Sequence, residues 1–311
     1  MPENNLFLPE GSRPAPLFSP ARLKAAAESG EILEAPAVRC DTDLNLHLDL
    51  GGIHGVISRN DAVATWISGA HRDIAVLSRV GKETCFTVSE VYADPRGAPM
   101  ARLSRAAAQE KAMEYFLEHL CPGMVLACRV IRMEPYGAFL DIGCGITALL
   151  PLERISISRI PHPNRRFREG QKIPAVVRKI DRDARRITMT HRELLGTWME
   201  NAACFRPGEA VRGIVRSVKE YGSFVELSPN LSALTETKIG LMPGDAVSVF
   251  IRSIRPEQMK IKLQLIEKLS PAAEPEPIRY QITDGRLERW VYSPPNYEKE
   301  PVETDFTASD L

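Results

Sequence analysis

The 311-residue chain has no run of about 18 apolar residues, so no helix is expected to cross a membrane. Its opening, MPENNLFLPEGSRP, holds an early acid, several prolines and no apolar stretch of signal-peptide length. Six cysteines (40, 85, 121, 128, 144 and 204) form no C-x-x-C pair, which argues against a structural zinc site and against a disulfide framework. Reduced thiols in a cytoplasmic protein are the expectation. There is no P-loop, no H-E-x-x-H, no G-x-S-x-G and no paired-carboxylate motif, so no catalytic residue is expected and the scattered Asp and Glu read as solvated. His162, between Pro161 and Pro163, has no second His, Cys or carboxylate at metal spacing, and neither a metal nor a cofactor is expected.

Net charge is also missing, but only in the total. Residues 1–120 sum to −4, 121–196 to +7, 197–268 to +2 and 269–311 to −5. A basic middle between acidic ends suggests a polyanionic partner, although a solvated charged face would give the same count.

What is present is a repeat. EPYGAFLDIG at 134–143 returns as KEYGSFVELS at 219–228, which places Tyr136 and Tyr221 85 residues apart. Pro122-Gly123 and Pro207-Gly208 open the two units with the same offset. In each unit an aliphatic, β-branched stretch (125–131 and 211–218) precedes the phrase, and a pair of alternating arms around a short charged loop follows it. Many short strands in about 70 residues suggest a small closed barrel. A weaker unit begins at Gly30. There Leu44, Leu46, Leu48 and Leu50 alternate with Asn45, His47 and Asp49, but the phrase itself is absent.

Two helices are predicted between the units. One follows Ser104-Arg105, with Met113, Phe116, Leu117 and Leu120 on one face. The other follows Thr190, with Leu194, Leu195, Trp198 and Met199 together and a capping box between Thr190 and Glu193. Their apolar stripes are expected to pack on neighbouring barrels and hold the units as a bent, semi-rigid rod. Ser19-Pro20 starts a short helix through Ala27. Residues 270–277 read as a linker, 278–295 as a hairpin turning at Asp284-Gly285, and the last dozen residues as disordered.

An outward-facing ring is in unfavourable contact with water unless something covers it. Bases of a single strand stack there at about 1–3 kcal/mol each, while nearby Arg and Lys meet the phosphates. Tyr136, Phe139, Tyr221 and Phe224 are therefore candidate stacking residues, with a core role as the alternative. The glycine between the rings would allow a bulge and an unobstructed approach. The stretch SRIPHPNRRFREGQK adds Arg159, Arg165, Arg166, Arg168 and Lys172 in one loop, suited to phosphates or merely solvated.

The YGAF and L-D-I-G run, followed by a late strand K-I-D-x-x-x-x-R-I, resembles the RNA-binding OB-fold domain named after ribosomal protein S1. The similarity is good over 121–194, good then loose over 206–266, and weak over 30–104. The whole arrangement, including RDIAVLSRVGK and ITDGRLERWVYSP, resembles S1-like 30S ribosomal proteins of Firmicutes. The resemblance implies a mainly β fold: three tandem OB-fold, S1-type five-stranded barrels joined by short α-helices, with a C-terminal hairpin and tail. The expected order is an N-terminal extension (1–29), a degenerate barrel (30–104), a linker helix (105–120), a barrel (121–190), a linker helix (191–204), a barrel (205–268), and a linker, hairpin and disordered tail (269–311).

The family's site carries over by position as Tyr136, Phe139, Asp181 and Arg186 in the central barrel, and as Tyr221 and Phe224 in the last. Arg255 stands at the last barrel's Asp position and Lys260 at its Arg position. The family's histidine position holds Pro151 in one barrel and falls near Thr235 in the other, without a ring. The resemblance implies a protein that binds single-stranded RNA, messenger RNA included, in translation, with the small ribosomal subunit as a candidate partner, and a monomer is expected. A ribosome- or protein-docking scaffold built on the acidic first unit is one alternative. A general single-stranded nucleic-acid binder is another, since stacking is blind to the sugar.

Overall fold

Alternation of apolar and polar residues along fifteen strands closes into three five-stranded barrels, and two further strands form a small C-terminal sheet. The computed structural model describes residues 7–14, 17–66, 70–236, 240–269 and 278–307, and the linker expected at 270–277 lies outside them. The chain divides into two compact units. One is residues 1–120 with 127–129 and 141–147, and the other is the remainder.

In the first unit, helix α1 (Pro20–Ser29) starts where the Ser19 hydroxyl accepts the Arg22 N–H at 3.1 Å, and it stops at Gly30, whose φ is 63°. The barrel follows as β1 (Leu33–Cys40), β2 (Leu46–Asp49), β3 (His54–Ile57), helix α2 (Ala70–Leu77), β4 (Glu83–Ala93) and β5 (Pro99–Ser104), in sheet order β1-β2-β3-β5-β4. The expected leucine alternation holds for Leu46, Leu48 and Leu50, which are buried with Phe86 and Leu103, but Leu44 lies before β2 at a φ of 63° and is half-buried, and His47, expected outside, is buried. Helix α3 (Arg105–His119) begins where the Ser104 hydroxyl accepts from Ala107 N–H at 3.1 Å. It buries Met113 and Phe116, followed by Leu120, while Leu117 is only half-buried.

An acid from the N-terminal segment lies inside this unit. Glu10 accepts from Arg105 at 2.8 and 3.0 Å and pairs with Arg79 at 2.9 Å. Burial pushes its carboxyl up, but the two guanidiniums outweigh burial and hold it at about 2.

The central barrel consists of β6 (Val125–Glu134), β7 (Gly137–Asp141), β8 (Thr147–Pro151), β9 (Lys172–Asp181) and β10 (Arg186–Thr190), in order β10-β8-β7-β6-β9. Beyond α4 (Trp198–Ala202) come β11 (Ala210–Lys219), β12 (Gly222–Ser228), β13 (Leu231–Thr235), β14 (Ala246–Arg255) and β15 (Lys260–Leu269), in order β11-β12-β13-β15-β14.

Two details differ from the sequence reading. The helix predicted after Thr190 is broken. A 3-10 turn (Arg192–Leu195) ends at Gly196, whose φ of 82° no helix accommodates, and α4 starts afresh behind it. The capping box therefore belongs to Thr197 and Glu200, and the Thr190 hydroxyl instead donates to the Glu193 carboxylate at 2.5 Å. Leu194, Leu195 and Trp198 are buried, but Met199 faces outward.

The tail is the second. Its hairpin pairs β16 (Arg289–Val291) with β17 (Glu303–Asp305) and does not turn at Asp284-Gly285. Gly285 O instead accepts the Val125 N–H at 3.0 Å, and Leu287 N donates to Gly123 O at 2.9 Å. Through residue 307 the expected disorder is replaced by structure, because Trp290, Tyr292 and Phe306 are buried.

Candidate nucleic-acid interface

Each letter of the repeated phrase has its own environment. Tyr136 is 58% exposed and Tyr221 71%, and Phe139 and Phe224 are half-buried on the outer faces of β7 and β12. The rings meet edge to face in both barrels, with centroids 6.1 Å apart at 90° and 6.3 Å apart at 89°. These are outward platforms, so the core reading of the aromatics does not hold. Leu140 and Val225, one residue on, are fully buried.

The glycine serves a different purpose from the one expected. A Cβ on Gly137 would lie 2.5 Å from Leu150 O, and one on Gly222 would lie 2.8 Å from Thr235 O. The neighbouring strand excludes a side chain there, whether or not a ligand approaches.

The acid of the phrase was not singled out from sequence, and in both copies it is buried. Asp141 accepts from the backbone N–H groups of Glu10, Gly143 and Gly145 at 2.8, 2.8 and 3.0 Å. Burial, with the nearby Glu10 carboxylate, pushes its carboxyl up to about 7. Glu226 accepts from Arg216 at 2.7 and 2.8 Å and from Arg166 at 2.5 Å.

That pairing corrects one candidate. Arg166 does not face solvent for phosphates. Its side chain is 4% exposed and ties the central loop to β12. Phe167 and Pro163 are buried beside it, and His162 caps the 3-10 turn Pro163–Arg165 by accepting Asn164 N–H at 3.2 Å. Arg159, Arg165, Arg168 and Lys172 remain on the surface of the loop. Asp181 and Arg186 face each other across β9 and β10, both exposed. In the last barrel the same register sets Arg255 opposite Lys260, also exposed.

Residues 121–192, the central barrel, match the S1 RNA binding domain family. The central barrel matches an S1 domain, and the chain is similar to bacterial S1 proteins. It is 30% identical over 190 residues to a small ribosomal subunit protein bS1 homolog of Bacillus subtilis, covering 57% of this chain and 50% of that protein. It is 29% identical over 179 residues to bS1 of Staphylococcus aureus, with 52% and 46% covered, and 28% identical over 161 residues to bS1 of Chlamydia muridarum, with 48% and 28% covered. The chain therefore spans half or less of the length of these relatives.

The S1 domain carries a further ring contact that the sequence reading missed. Arg132 on β6 lies 4.7 Å from the Phe139 ring centroid, a cation–π pair on the outer face. The last barrel has Ser217 in the matching place, opposite Phe224, so the two platforms differ. Among the described residues no group of three or more His, Cys, Asp or Glu is placed to hold a metal ion, and no helix is long and apolar enough to cross a membrane.

Near the end of the S1 domain, His191 is fully buried. Its Nδ1 lies 2.8 Å from Ile155 O and its Nε2 lies 3.1 Å from the Tyr280 hydroxyl, which suits a neutral ring donating to the carbonyl and accepting from the phenol. Burial holds its pKa at about 4, below the ordinary 6.5. The unfolded chain then takes up this proton first. The stabilisation is complete above pH 6.5 and is lost as pH falls towards 4, by about 3 kcal/mol in all. Urea unfolding at a series of pH values should show this slope in the wild type and a flatter one in His191→Gln. Equal slopes would remove His191 from the account.

Proposed function

We propose that the chain is a single-stranded RNA-binding protein of the ribosomal S1 type, which holds messenger RNA in translation through tandem barrels. The observation that carries this reading is the recurrence of one outward, edge-to-face Tyr–Phe pair at the start of the same strand in two barrels, with the Tyr just before the strand and the Phe on it. Each pair gives a stacking surface for one or two bases. The S1 domain adds Arg132 on the ring, the Asp181–Arg186 pair and the surface cations Arg159, Arg165, Arg168 and Lys172 for phosphates. The last barrel offers Tyr221, Phe224 and Lys260. Two weak platforms on one chain reinforce each other through effective concentration. The names of the relatives point to the small ribosomal subunit as the place of action. A cytoplasmic, monomeric chain without catalysis is part of the same proposal.

Fluorescence anisotropy of a labelled single-stranded RNA, with DNA of the same sequence alongside and across a salt series, tests the reading. Tyr136→Ala/Phe139→Ala should weaken binding by about ten- to a hundredfold, the worth of one to two stacked bases. Equal affinity in both proteins would make the rings idle. Equal affinity for RNA and DNA would favour a general single-strand binder. No binding by either protein would leave a docking scaffold.

A further inference from the structure

The first barrel lacks the phrase, yet its strand register puts other rings in the phrase's place. In the last barrel, Val215 pairs with Val225, β11 then bulges, and Ser217 pairs with Phe224. In the first barrel, Ala37 pairs with Leu48, β1 bulges at the same point, and Arg39 pairs with His47. His47 therefore occupies the place of the stacking phenylalanine. The rows continue alike. Phe224 leads through Leu234 and Lys262 to Ser253, and His47 leads through Val56 and Arg102 to Glu90. One row over, Tyr92 pairs with Met100 where Arg255 pairs with Lys260 and Asp181 with Arg186.

The side chains on these rows make a surface. They lie on the outer side of the barrel, because Leu46, Leu48, Ile57, Ala101 and Leu103, which alternate with them, are in the core; His47 is itself covered, at 8% exposed, while His54 and Arg102 are exposed. The His47 and His54 rings lie 5.0 Å apart between centroids, and His47 Nδ1 is 2.8 Å from His54 Nε2. Asp41 Oδ2, 3.0 Å from His47 Nε2, fixes the first ring. Arg102 lies 5.9 Å from the Tyr92 ring centroid, and Glu90 holds it at 3.0 Å from the other side. Burial, His47 and Arg39 hold the His54 pKa below its ordinary value, so at neutral pH it is an uncharged ring with a face to offer. Among the described residues no group of three His, Cys, Asp or Glu is placed to hold a metal ion there.

We infer that the first barrel is a third single-stranded RNA site, rebuilt from different residues: His54 and Tyr92 supply the stacking faces, the buried His47 holds His54 in place, and Arg39 and Arg102 supply the cations. The inference rests on the RNA reading of the other two barrels. It departs from a purely protein-docking role for the first unit. The three sites would let the chain follow a longer strand than two barrels could hold.

The test is photocrosslinking of the full chain to a 4-thiouridine-substituted oligouridylate of ~30 nucleotides, long enough for several barrels, with mass-spectrometric mapping of the crosslinked peptides. Crosslinks are expected in 39–59 and 83–102 as well as in 125–141 and 211–228. In parallel, His54→Ala/Tyr92→Ala should weaken anisotropy-measured binding of the long oligomer roughly tenfold and hardly change an oligomer of ~8 nucleotides, which one barrel can hold. Tyr92→Phe, which keeps the ring, should bind like the wild type. Crosslinks confined to the later barrels would overturn the inference and leave the RNA reading standing. Crosslinks on the first barrel with unchanged affinity in the double variant would overturn it too. No crosslinks anywhere would overturn both.

Discussion

Glu226→Ala is expected to lower the unfolding free energy by about 3–5 kcal/mol, the cost of leaving buried charge without its partner. Glu226 pairs with two guanidiniums: Arg216, whose side chain is 11% exposed, and Arg166, at 4%. Removing the carboxylate leaves two cations facing each other out of water. Glu226→Gln keeps one acceptor oxygen and should lose about half as much. Replacing all three residues by apolar side chains of similar volume should restore most of the loss, because the desolvation of the charges disappears with them. Urea unfolding followed by the fluorescence of Trp198 and Trp290, both buried in this unit, measures each step. A loss below about 1 kcal/mol in Glu226→Ala would mean that water reaches the guanidiniums and the triad is in effect a surface pair.

Glu10→Ala should produce a loss of the same size, about 3–5 kcal/mol, in the unit that contains the first barrel. Arg105 and Arg79 have side chains 6% and 15% exposed, and Glu10 is their common partner. The pH dependence has a definite sign. The Glu10 carboxyl sits at about 2 in the folded chain against an ordinary 4.5, so its contribution is complete above pH 4.5 and disappears as pH falls towards 2. The wild type should therefore lose stability over that interval, and Glu10→Ala should lose less of it. Thermal melts by circular dichroism at pH 7, 4 and 3 would check both statements. A variant as stable as the wild type at pH 7 would show that the N-terminal segment is not needed to hold Arg105.

The phrase shows how far a local reading reaches. Its ring positions were identifiable because aromatic residues at outward positions of a strand stand out against polar neighbours, and repetition separated them from chance. Its acid was not, because nothing in L-D-I-G or V-E-L-S distinguishes a solvated carboxylate from a buried one. Arg166 was misjudged for the same reason. In a run of four arginines and a lysine, the member that turns inward is chosen by a glutamate 60 residues away. The rings of the first barrel escaped notice because His47 and Tyr92 share no local phrase and meet on one face only through strand register.

By itself the sequence determined the three barrels, the entry to α1 and α3 through Ser19 and Ser104, and the two outward Tyr–Phe pairs. All of these rest on alternation, capping or turn chemistry acting within a few residues. Tertiary structure alone decided the break at Gly196, the ordering of the tail by its buried aromatics, the neutral state of His191 and the partners of Glu10, Asp141 and Glu226. The physical reason is that burial and charge pairing join residues far apart in the chain, up to 131 positions for Glu10 and Asp141, and such pairings leave no periodic trace in either segment.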